Sequence, residues 1–238
     1  MGEVRAKKFK SNGFSLVELL VVIAIIALLL SILTPSLMRA KSIAVRIRCS
    51  YNLKQIHLAM NLYTNANDNA YPCAQDPLPT GHWLWMGRGW RSFIRPYLDD
   101  NIDPNNPSVL FCPQDRVSKE KYESTSYAYS MAFYHSPQQI DQMSTSADTY
   151  GSVSPPCMAQ RISDVANPSG KILIGDWLSN HQPIDDDKGW WCWQGRRNYL
   201  FADGQVYPLY ADQIRPARDG LPDANLTIHG IEGVDYNP

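Results

Sequence analysis

The sequence carries almost no net charge and none of the short motifs that mark common catalytic centres. Its 238 residues sum to a formal net charge of −1, which excludes the basic excess typical of nucleic-acid-binding proteins. A Gly-x-Ser-x-Gly elbow, a His-Glu-x-x-His pair and a phosphate-binding loop are all absent, and the five histidines lie far apart in the chain. We therefore expect a protein that is not an enzyme and does not bind nucleic acid.

Cysteine is also scarce, and its spacing argues against a common kind of metal site. The five cysteines include no Cys-x-x-Cys pair, so a structural zinc site is not expected. In an oxidising compartment one or two disulfides can form, although their connectivity cannot be read from the sequence. The candidates for such bridges are Cys73, Cys112, Cys157 and Cys192.

What the sequence has in abundance is a single apolar run near its N-terminus. From Phe14 to Leu33 every position is apolar except two serines and Glu18. Twenty residues make about 30 Å of helix, which matches the hydrocarbon core of a bilayer. The run therefore predicts one membrane-spanning helix over residues 14–34.

Glu18 is the single carboxylate in this run. Insertion is favoured even with an unpaired acid, because the apolar residues contribute about −7 kcal/mol and one acid costs about +3 kcal/mol. A carboxylate in a membrane is nevertheless expensive and is usually kept because a partner neutralises it. Cleavage after Gly13 would create such a partner, the free amine of Phe14, one helical turn from Glu18.

The residues around this junction resemble a known export signal. Gly13, Phe14 after it and Glu18 four residues further on are similar to the class III signal of type IV prepilins and type II secretion pseudopilins. The resemblance implies that a prepilin peptidase cuts after Gly13 and that the new N-terminal Phe14 is N-methylated. It also implies that Glu18 guides assembly with other pilin or pseudopilin subunits, and that Pro35 kinks the helix.

Two other interpretations of the run stay open at this stage. An ordinary secretory signal has a shorter apolar stretch, and its cleavage site follows that stretch. A plain membrane anchor would need neither the Gly13–Phe14 junction nor Glu18. Basic residues flank the run on both sides, so charge does not decide its orientation. The resemblance implies a single-pass protein of the bacterial inner membrane, with its N-terminus in the cytoplasm and the bulk of the chain outside.

The composition separates an N-terminal helix at 14–66 from a globular domain at 67–238. The resemblance implies that the leader at 1–13 is cleaved and that the globular domain is extracytoplasmic. Beyond Pro35 the apolar residues recur at spacings of three and four, which predicts an amphipathic half-helix. This stripe consists of Ile43, Ile47, Leu53, Ile56, Met60 and Tyr63. A long helix whose stripe is covered by a small antiparallel sheet is an α+β arrangement, and it is also the pilin-like fold that the resemblance implies.

Strand signals are strongest late in the chain. Residues 171–177 predict one strand, and 198–201 with 205–209 predict a hairpin about Ala202-Asp203-Gly204, because Gly accepts the positive φ of a tight turn. Short strands are also expected at 109–111 and 126–131. We expect residues 137–160 to form a mobile polar insertion, and the tail after Pro216 to be poorly ordered.

Two clusters of tryptophan, at 82–90 and 189–193, allow a second interpretation of the function. Indole side chains most often fill space in a small core. They also serve as anchors for a glycan or a protein ligand. The alternative to a filament subunit is therefore a membrane-anchored surface-binding protein that uses these loops and does not polymerise.

A second resemblance extends over more of the chain. Its residues are Cys49, Asn52 to Ile56, Tyr71-Pro72, Cys112-Pro113 with Asp115, Ser126-Tyr127, and Asn198 with Phe201 to Gly204. Together they are similar to a bacterial prepilin-like family of uncharacterised function that usually ends in His, nine residues, then Asp-Gly. Here Trp193 stands at that His position, and Gln205 stands where another His commonly follows Asp-Gly. No role proposed for those histidines carries over to this chain.

A calcium site is the remaining candidate for metal chemistry. Some pseudopilins hold calcium in a C-terminal loop, and oxygen ligands suit that ion. The candidate ligands are Asp176, Asp185, Asp187 and Asp203, although their spacing matches no EF-hand loop and a run of acids is most often a solvated turn. No other cofactor is expected. The sequence as a whole predicts a minor pilin-like or pseudopilin-like subunit of a secretion pseudopilus or a type IV pilus-like filament.

Overall fold

A computed structural model of the protein describes residues 15–73, 88–98, 108–117, 125–145 and 155–237. The chain forms two compact units, Met1–Ala44 and Val45–Pro238. We call the second unit the head and treat each unit by itself. The predicted leader at 1–13 and the residue that follows it, Phe14, lie outside the described residues.

The N-terminal helix, α1, runs from Leu16 to Ala66 and contains Pro35. It ends in a polar turn, where Asp68 and Asn69 adopt positive φ angles of 51° and 58° and the Asn69 amide donates to the Thr64 carbonyl at 2.9 Å. Asp and Asn tolerate this left-handed conformation better than other residues, apart from Gly. The predicted helix at 14–66 therefore matches the structure closely.

The head contains a four-stranded antiparallel sheet in the order β1-β2-β3-β4. Its strands are β1 (Tyr127–Tyr129), β2 (Ile172–Asp176), β3 (Arg196–Phe201) and β4 (Val206–Tyr210). Each strand is hydrogen-bonded to the next one along the chain, with Tyr127 opposite Asp176 and Tyr199 opposite Tyr207. This sheet and α1 confirm the α+β, pilin-like fold class, and the hairpin predicted about 202–204 is present.

The predicted strand at 109–111 is wrong. The segment forms turns instead, in which the Phe111 amide donates to the Ser108 carbonyl at 3.1 Å and the Asp115 amide donates to the Cys112 carbonyl at 2.9 Å. These local bonds use backbone groups that a strand would need for its neighbours. The apolar character of the segment has another cause, because Leu110 is buried in the core of the head.

The remaining helices are short. The α-helices are α2 (Arg88–Ile94) and α3 (Pro137–Gln142). Short 3-10 helices occur at Arg95–Tyr97, Met131–Phe133, Ile162–Asp164, Gly189–Trp191, Ala211–Gln213 and Gly230–Glu232. Some of them lie between strands, and others lie before β1 or after β4.

The predicted mobile insertion at 137–160 is wrong for the part that the structure describes. The start of α3 carries a capping box, in which Ser136 and Gln139 each accept a hydrogen bond from the backbone amide of the other. Ile140 and Met143 are buried in the core. Residues 146–154 lie outside the described part of the chain.

The core of the head combines one face of α1 with the sheet and its aromatic residues. The buried residues of α1 are Cys49, Asn52, Leu53, Ile56, Ala59, Met60 and Thr64. The stripe therefore begins at Cys49, whereas Ile43 and Ile47, which were assigned to it, are 50% and 62% exposed. A helical stripe at spacings of three and four was predicted correctly from Leu53 onward, but its start was not.

The C-terminal tail is folded onto the sheet, so the prediction of a poorly ordered tail is wrong. Lys171 is fully buried and forms an ion pair of 3.2 Å with Asp235, which also accepts a hydrogen bond from the Ile172 amide at 2.8 Å. Thr227 donates a short hydrogen bond to the same carboxylate. A buried charge needs an oppositely charged or hydrogen-bonding partner. These contacts therefore hold the C-terminal end of the tail in place at Asp235.

Candidate functional site

The apolar part of α1 is exposed along its whole length. Every residue from Ser15 to Ala44 is exposed, with fractions from 81% at Leu16 to 47% at Val22 among the large apolar side chains. Soluble monomers rarely expose an apolar surface of this size. The surface therefore requires an apolar medium or an apolar partner.

Among the described residues, α1 is the one helix whose length and composition would let it cross a membrane. A helix of this kind close to the N-terminus is weak evidence alone, because signal sequences have the same properties. The residues at the start of the helix therefore decide what kind of segment it is.

Glu18 lies in the first turn of α1, and its side chain folds back toward the helix N-terminus. Its Oε2 atom accepts a hydrogen bond from the Ser15 amide at 2.9 Å, while Ser15 Oγ accepts one from the Val17 amide at 3.3 Å. A carboxylate at this end of a helix is also stabilised by the helix dipole. The carboxylate is thus held at the N-terminal end of α1. Gly13 and Phe14 lie outside the described residues.

The hydroxyl groups within the apolar part of α1 are satisfied by the helix itself. Ser31 Oγ donates to the Leu28 carbonyl and Thr34 Oγ1 to the Leu30 carbonyl, both at 2.7 Å. This matters in an apolar medium, where an unpaired polar group costs several kcal/mol. Pro35 lies inside α1, and the kink expected there stays a prediction.

The model of the prokaryotic N-terminal methylation motif matches residues 8–34. The matched range contains Gly13, Phe14, Glu18 and the apolar run, which are the residues that carry the sequence resemblance. The chain fits a prepilin-like or pseudopilin-like protein. No curated protein and no solved structure matches the chain. The likeness to prepilins and pseudopilins therefore rests on the motif, the exposed apolar helix and the α+β fold.

Several residues of the second resemblance meet at one place in the head. A disulfide joins Cys49 on α1 to Cys112, with their Cα atoms 5.4 Å apart. Asn52 Nδ2 donates to the Phe111 carbonyl at 3.2 Å, and Ser126 Oγ accepts from the Cys112 amide at 2.9 Å. These contacts fasten α1 to the loop before β1.

The disulfide corrects the cysteine assignment from the sequence. Cys49 was outside the candidate set. It lies three residues before Asn52 and four before Leu53, which places it on the buried face of α1. This spacing is the signal that could have identified it as a candidate. Cys192 was a candidate but carries a free thiol, which donates to the Gly189 carbonyl at 3.2 Å. No other cysteine bridges it, because its loop holds the thiol against its own backbone.

Asp176 and Asn198 form a buried polar pair between β2 and β3. Asp176 Oδ2 accepts hydrogen bonds from the Asn198 amide at 2.9 Å and from Asn198 Nδ2 at 2.8 Å. Burial raises the pKa of Asp176 to about 7, although the hydrogen bonds from Asn198 lower it. Asp176 is fully buried, and its Oδ1 atom has no hydrogen-bond partner in the part of the chain that the structure describes.

Arg197 of β3 is the centre of a second buried polar cluster. Its Nη2 atom bonds to Asp187 Oδ1 at 2.6 Å, and its Nε and Nη1 atoms donate to the carbonyls of Trp177 and Gln194 at 3.1 and 2.9 Å. The side chain of Arg197 is fully buried, and that of Asp187 is 14% exposed. No pattern in the sequence predicts this cluster, since an arginine in a strand is usually exposed.

The carboxylates predicted as calcium ligands do not converge on one point among the described residues, and Asp185, one of the four, is exposed. Asp187 pairs with Arg197, and Asp176 accepts a hydrogen bond from Asn198. Asp203 accepts hydrogen bonds from the amide and the side chain of Gln205, at 2.9 and 3.1 Å. Within the described ranges, the one group whose ligand atoms converge is Cys49, Cys112 and His181. Both of those sulfur atoms are joined in the disulfide, so the group is not arranged to bind a metal through two thiolates.

The tryptophans at 190–193 mainly fill the core. Trp190 is fully buried and donates to the Asp176 carbonyl at 2.9 Å, and Trp191 donates to Asp223 Oδ2 at 3.0 Å. Trp193 is 42% exposed. Trp90 of the first cluster is also buried, while residues 82–87 lie outside the described residues. A binding surface of stacked indoles is therefore not formed by residues 190–193.

The Asp-Gly motif has a structural role that the sequence alone did not show. It forms the turn between β3 and β4, and a Cβ atom at Gly204 would lie 2.6 Å from His57 Nε2. Gln205, which stands at a common His position of the resembled family, bonds to Asp203 and Tyr207. The turn therefore packs on α1 through His57, a residue that was not singled out from the sequence.

Proposed function

We propose that this prepilin-like protein is cut after Gly13 by a prepilin peptidase, N-methylated at Phe14, and assembled through α1 into a filament or pseudopilus. The observation that carries this proposal is the exposed apolar helix that begins with the methylation motif and holds Glu18 in its first turn. The role is structural and not catalytic, and the head lies outside the inner membrane.

Processing and assembly would cover the exposed apolar surface of α1 and would also provide a charged partner for the Glu18 carboxylate. The apolar surface of α1 would be covered by the bilayer before assembly and by the helices of other subunits afterwards. The Glu18 carboxylate already accepts from the Ser15 amide, and a free amine at Phe14 would add an opposite charge. A charged pair in an apolar medium is much less costly than a lone carboxylate.

The size of the head supports a minor subunit of the filament. It comprises the unit Val45–Pro238, which is large beside the single helix that would pack into a filament core. Large heads pack poorly at the density of a filament shaft. The system served is either a type II secretion machine or a surface fibre, and co-purification with secretion components would separate the two.

Mass spectrometry of the mature N-terminus tests the processing step. We expect a chain that begins with methylated Phe14 in cells that contain a prepilin peptidase, and a chain that begins at Met1 in cells that lack it. A chain that begins at Met1 in both strains contradicts the proposal and favours a plain membrane anchor. Replacement of Gly13 by Val serves as a matched control, because it should block cleavage without changing the apolar run.

The variant Glu18→Ala tests the assembly step. Insertion into the membrane should be unchanged, because the apolar run suffices without the acid. Incorporation into filaments should be lost, since the charged contact is gone. Glu18→Asp is the matched control and should keep part of the incorporation. Assembly of Glu18→Ala at the wild-type level would contradict a role of this carboxylate.

A further inference from the structure

Two segments of the head run side by side and bring Cys73 and Cys157 together. Ala70 and Arg161 form an antiparallel bridge, the Tyr71 amide donates to the Gln160 carbonyl at 2.9 Å, and the Ile162 amide donates to the Asn69 carbonyl at 3.0 Å. Cys73 follows the first segment and Cys157 precedes the second. In an antiparallel pair these positions lie at the same end.

Further contacts hold both chain ends in place beyond this short ladder. Tyr129 Oη donates to the Pro72 carbonyl at 3.3 Å, next to Cys73. The Met158 amide donates to the Tyr134 carbonyl at 2.9 Å, next to Cys157. The backbone on each side is thus fixed close to the sulfur atoms.

The two thiols are in direct contact. Cys157 is hydrogen-bonded to Cys73, and both side chains are half-buried. This hydrogen bond lowers the pKa of the Cys73 thiol, while burial acts in the opposite direction. A lowered pKa increases the fraction of thiolate, which is the form that reacts with a disulfide.

We propose that Cys73 and Cys157 form a second disulfide in the mature head. The inference rests on the proposed function, because disulfides form and persist when the head lies outside the cytoplasm. Cys49 and Cys112 are already bridged in the same head. The new bridge would tie the chain just after α1 to the segment that follows residue 154.

The reaction needs an oxidant that itself carries a disulfide, such as a periplasmic thiol oxidoreductase. The Cys73 thiolate attacks one sulfur of that disulfide, a mixed disulfide forms, and the other sulfur of the oxidant leaves as a thiolate. Deprotonated Cys157 then attacks Cys73 Sγ and expels the second sulfur of the oxidant. The two cysteines lose two electrons and two protons, and the oxidant disulfide becomes two thiols.

Cys192 is not a competing partner for either cysteine. Its sulfur donates to the Gly189 carbonyl at 3.2 Å and accepts from Arg197 Nη2 at 3.5 Å, so it belongs to the cluster around Arg197. With two bridges in place, Cys192 would be the single reduced thiol of the chain. This assignment explains the odd number of cysteines.

Peptide mapping of the full chain exported by bacterial cells tests the proposal. Thiols are alkylated under denaturing conditions without a reductant, and trypsin then separates all five cysteines because a Lys or Arg lies between each neighbouring pair. We expect a linked pair of the peptides with Cys73 and Cys157, about 2 Da lighter than the sum of the two. Only Cys192 should carry the alkyl group.

The bridge between Cys49 and Cys112 separates a failure of this inference from a failure of the proposed topology. If that bridge is present while Cys73 and Cys157 are alkylated, the second disulfide is wrong and the outward topology stands. If all five cysteines are alkylated, both the second disulfide and the outward topology are wrong. Linkage of Cys73 to any other cysteine also overturns the proposal.

Variants provide the matched controls. Cys157→Ser should leave Cys73 alkylated and the bridge between Cys49 and Cys112 intact. Cys192→Ser should leave both linked pairs unchanged. If Cys73 stays linked in Cys157→Ser, it has another partner and the proposed pairing is wrong.

Discussion

Gly204 lies directly against His57, and a Cβ atom at this position would approach His57 Nε2 to 2.6 Å. Gly204 also has a φ of +86°, which residues with a side chain rarely adopt. His57 belongs to α1, where its Nε2 contacts Asn61 Nδ2 at 2.9 Å. The β3–β4 hairpin is therefore packed on α1 through a position that requires glycine for two separate reasons.

The variant Gly204→Ala should destabilise the head by about 2–4 kcal/mol, because it adds both backbone strain and a close contact with His57. Gly220→Ala is the matched control, since its φ is +74° and a Cβ atom there meets nothing within 4 Å. It should show the strain alone, about 1 kcal/mol. Urea unfolding in detergent measures both, and equal losses would contradict a contact with His57.

Joint replacement of Cys49 and Cys112 by Ser should destabilise the head by about 4 kcal/mol in the chain-entropy description of disulfides. The two residues are 63 positions apart, so the bridge removes considerable freedom from the unfolded chain. Urea unfolding without a reductant provides the measurement. Cys192→Ser should change stability by less than about 0.5 kcal/mol, because it removes no bridge. A comparable loss in both variants would argue against the bridge.

The variant Asp176→Asn should alter how stability depends on pH. The pKa of Asp176 is raised by burial from 3.8 to about 7, so between these values the folded chain holds a proton that the unfolded chain has released. The contribution of Asp176 to stability is therefore full below about pH 4 and is lost as the pH rises to about 7, at up to about 1.4 kcal/mol per pH unit. The variant lacks this loss.

The measured quantity is the difference in unfolding free energy between Asp176→Asn and wild type at several pH values. As the pH rises from about 4 to about 7, the unfolding free energy of the variant should increase relative to that of the wild type. Comparison with wild type is needed because other groups titrate in the same range. Burial raises the pKa of Asp223 to about 7, and burial lowers the pKa of His135 and of His181 to about 4.

The variant Arg197→Ala should destabilise the head by about 3–5 kcal/mol, because it leaves Asp187 and two carbonyls without their buried partner. Arg197→Lys keeps the charge but cannot replace the three donor atoms, so it should recover only part of the loss. The exposed ion pair between Lys188 and Asp186, at 3.2 Å, offers a control. Lys188→Ala should cost at most about 1 kcal/mol, and thermal unfolding distinguishes these outcomes.

The N-terminal helix was predicted well because its signals are local. Twenty nearly continuous apolar residues specify a helix in any context, and Gly13, Phe14 and Glu18 form a motif within six positions. The β3–β4 hairpin was predictable for the same reason, because Asp203 and Gly204 supply the turn between two apolar runs. Each of these predictions depends on neighbours in the sequence only.

The organisation of the head was decided by contacts between residues far apart in the chain. Cys49 and Cys112 are 63 positions apart, and Lys171 pairs with Asp235 at the end of a tail that looks polar in sequence. The apolar segment at 109–111 forms turns, and the Leu110 carbonyl accepts a hydrogen bond from the Ser126 amide, 16 positions away, at 3.0 Å. No local pattern predicts which distant residue will satisfy a buried charge or thiol.

The sequence by itself determined the export motif, the long helix and the class of fold, since short-range periodicity and composition are sufficient for these. Only the tertiary structure decided which residues the buried acids and the cysteines have as partners. Arg197 is the partner of Asp187, Asn198 is the partner of Asp176, and the buried stripe of α1 begins at the disulfide residue Cys49. The apolar run of α1, in contrast, stays exposed in the single chain, because no described residue of the chain covers it.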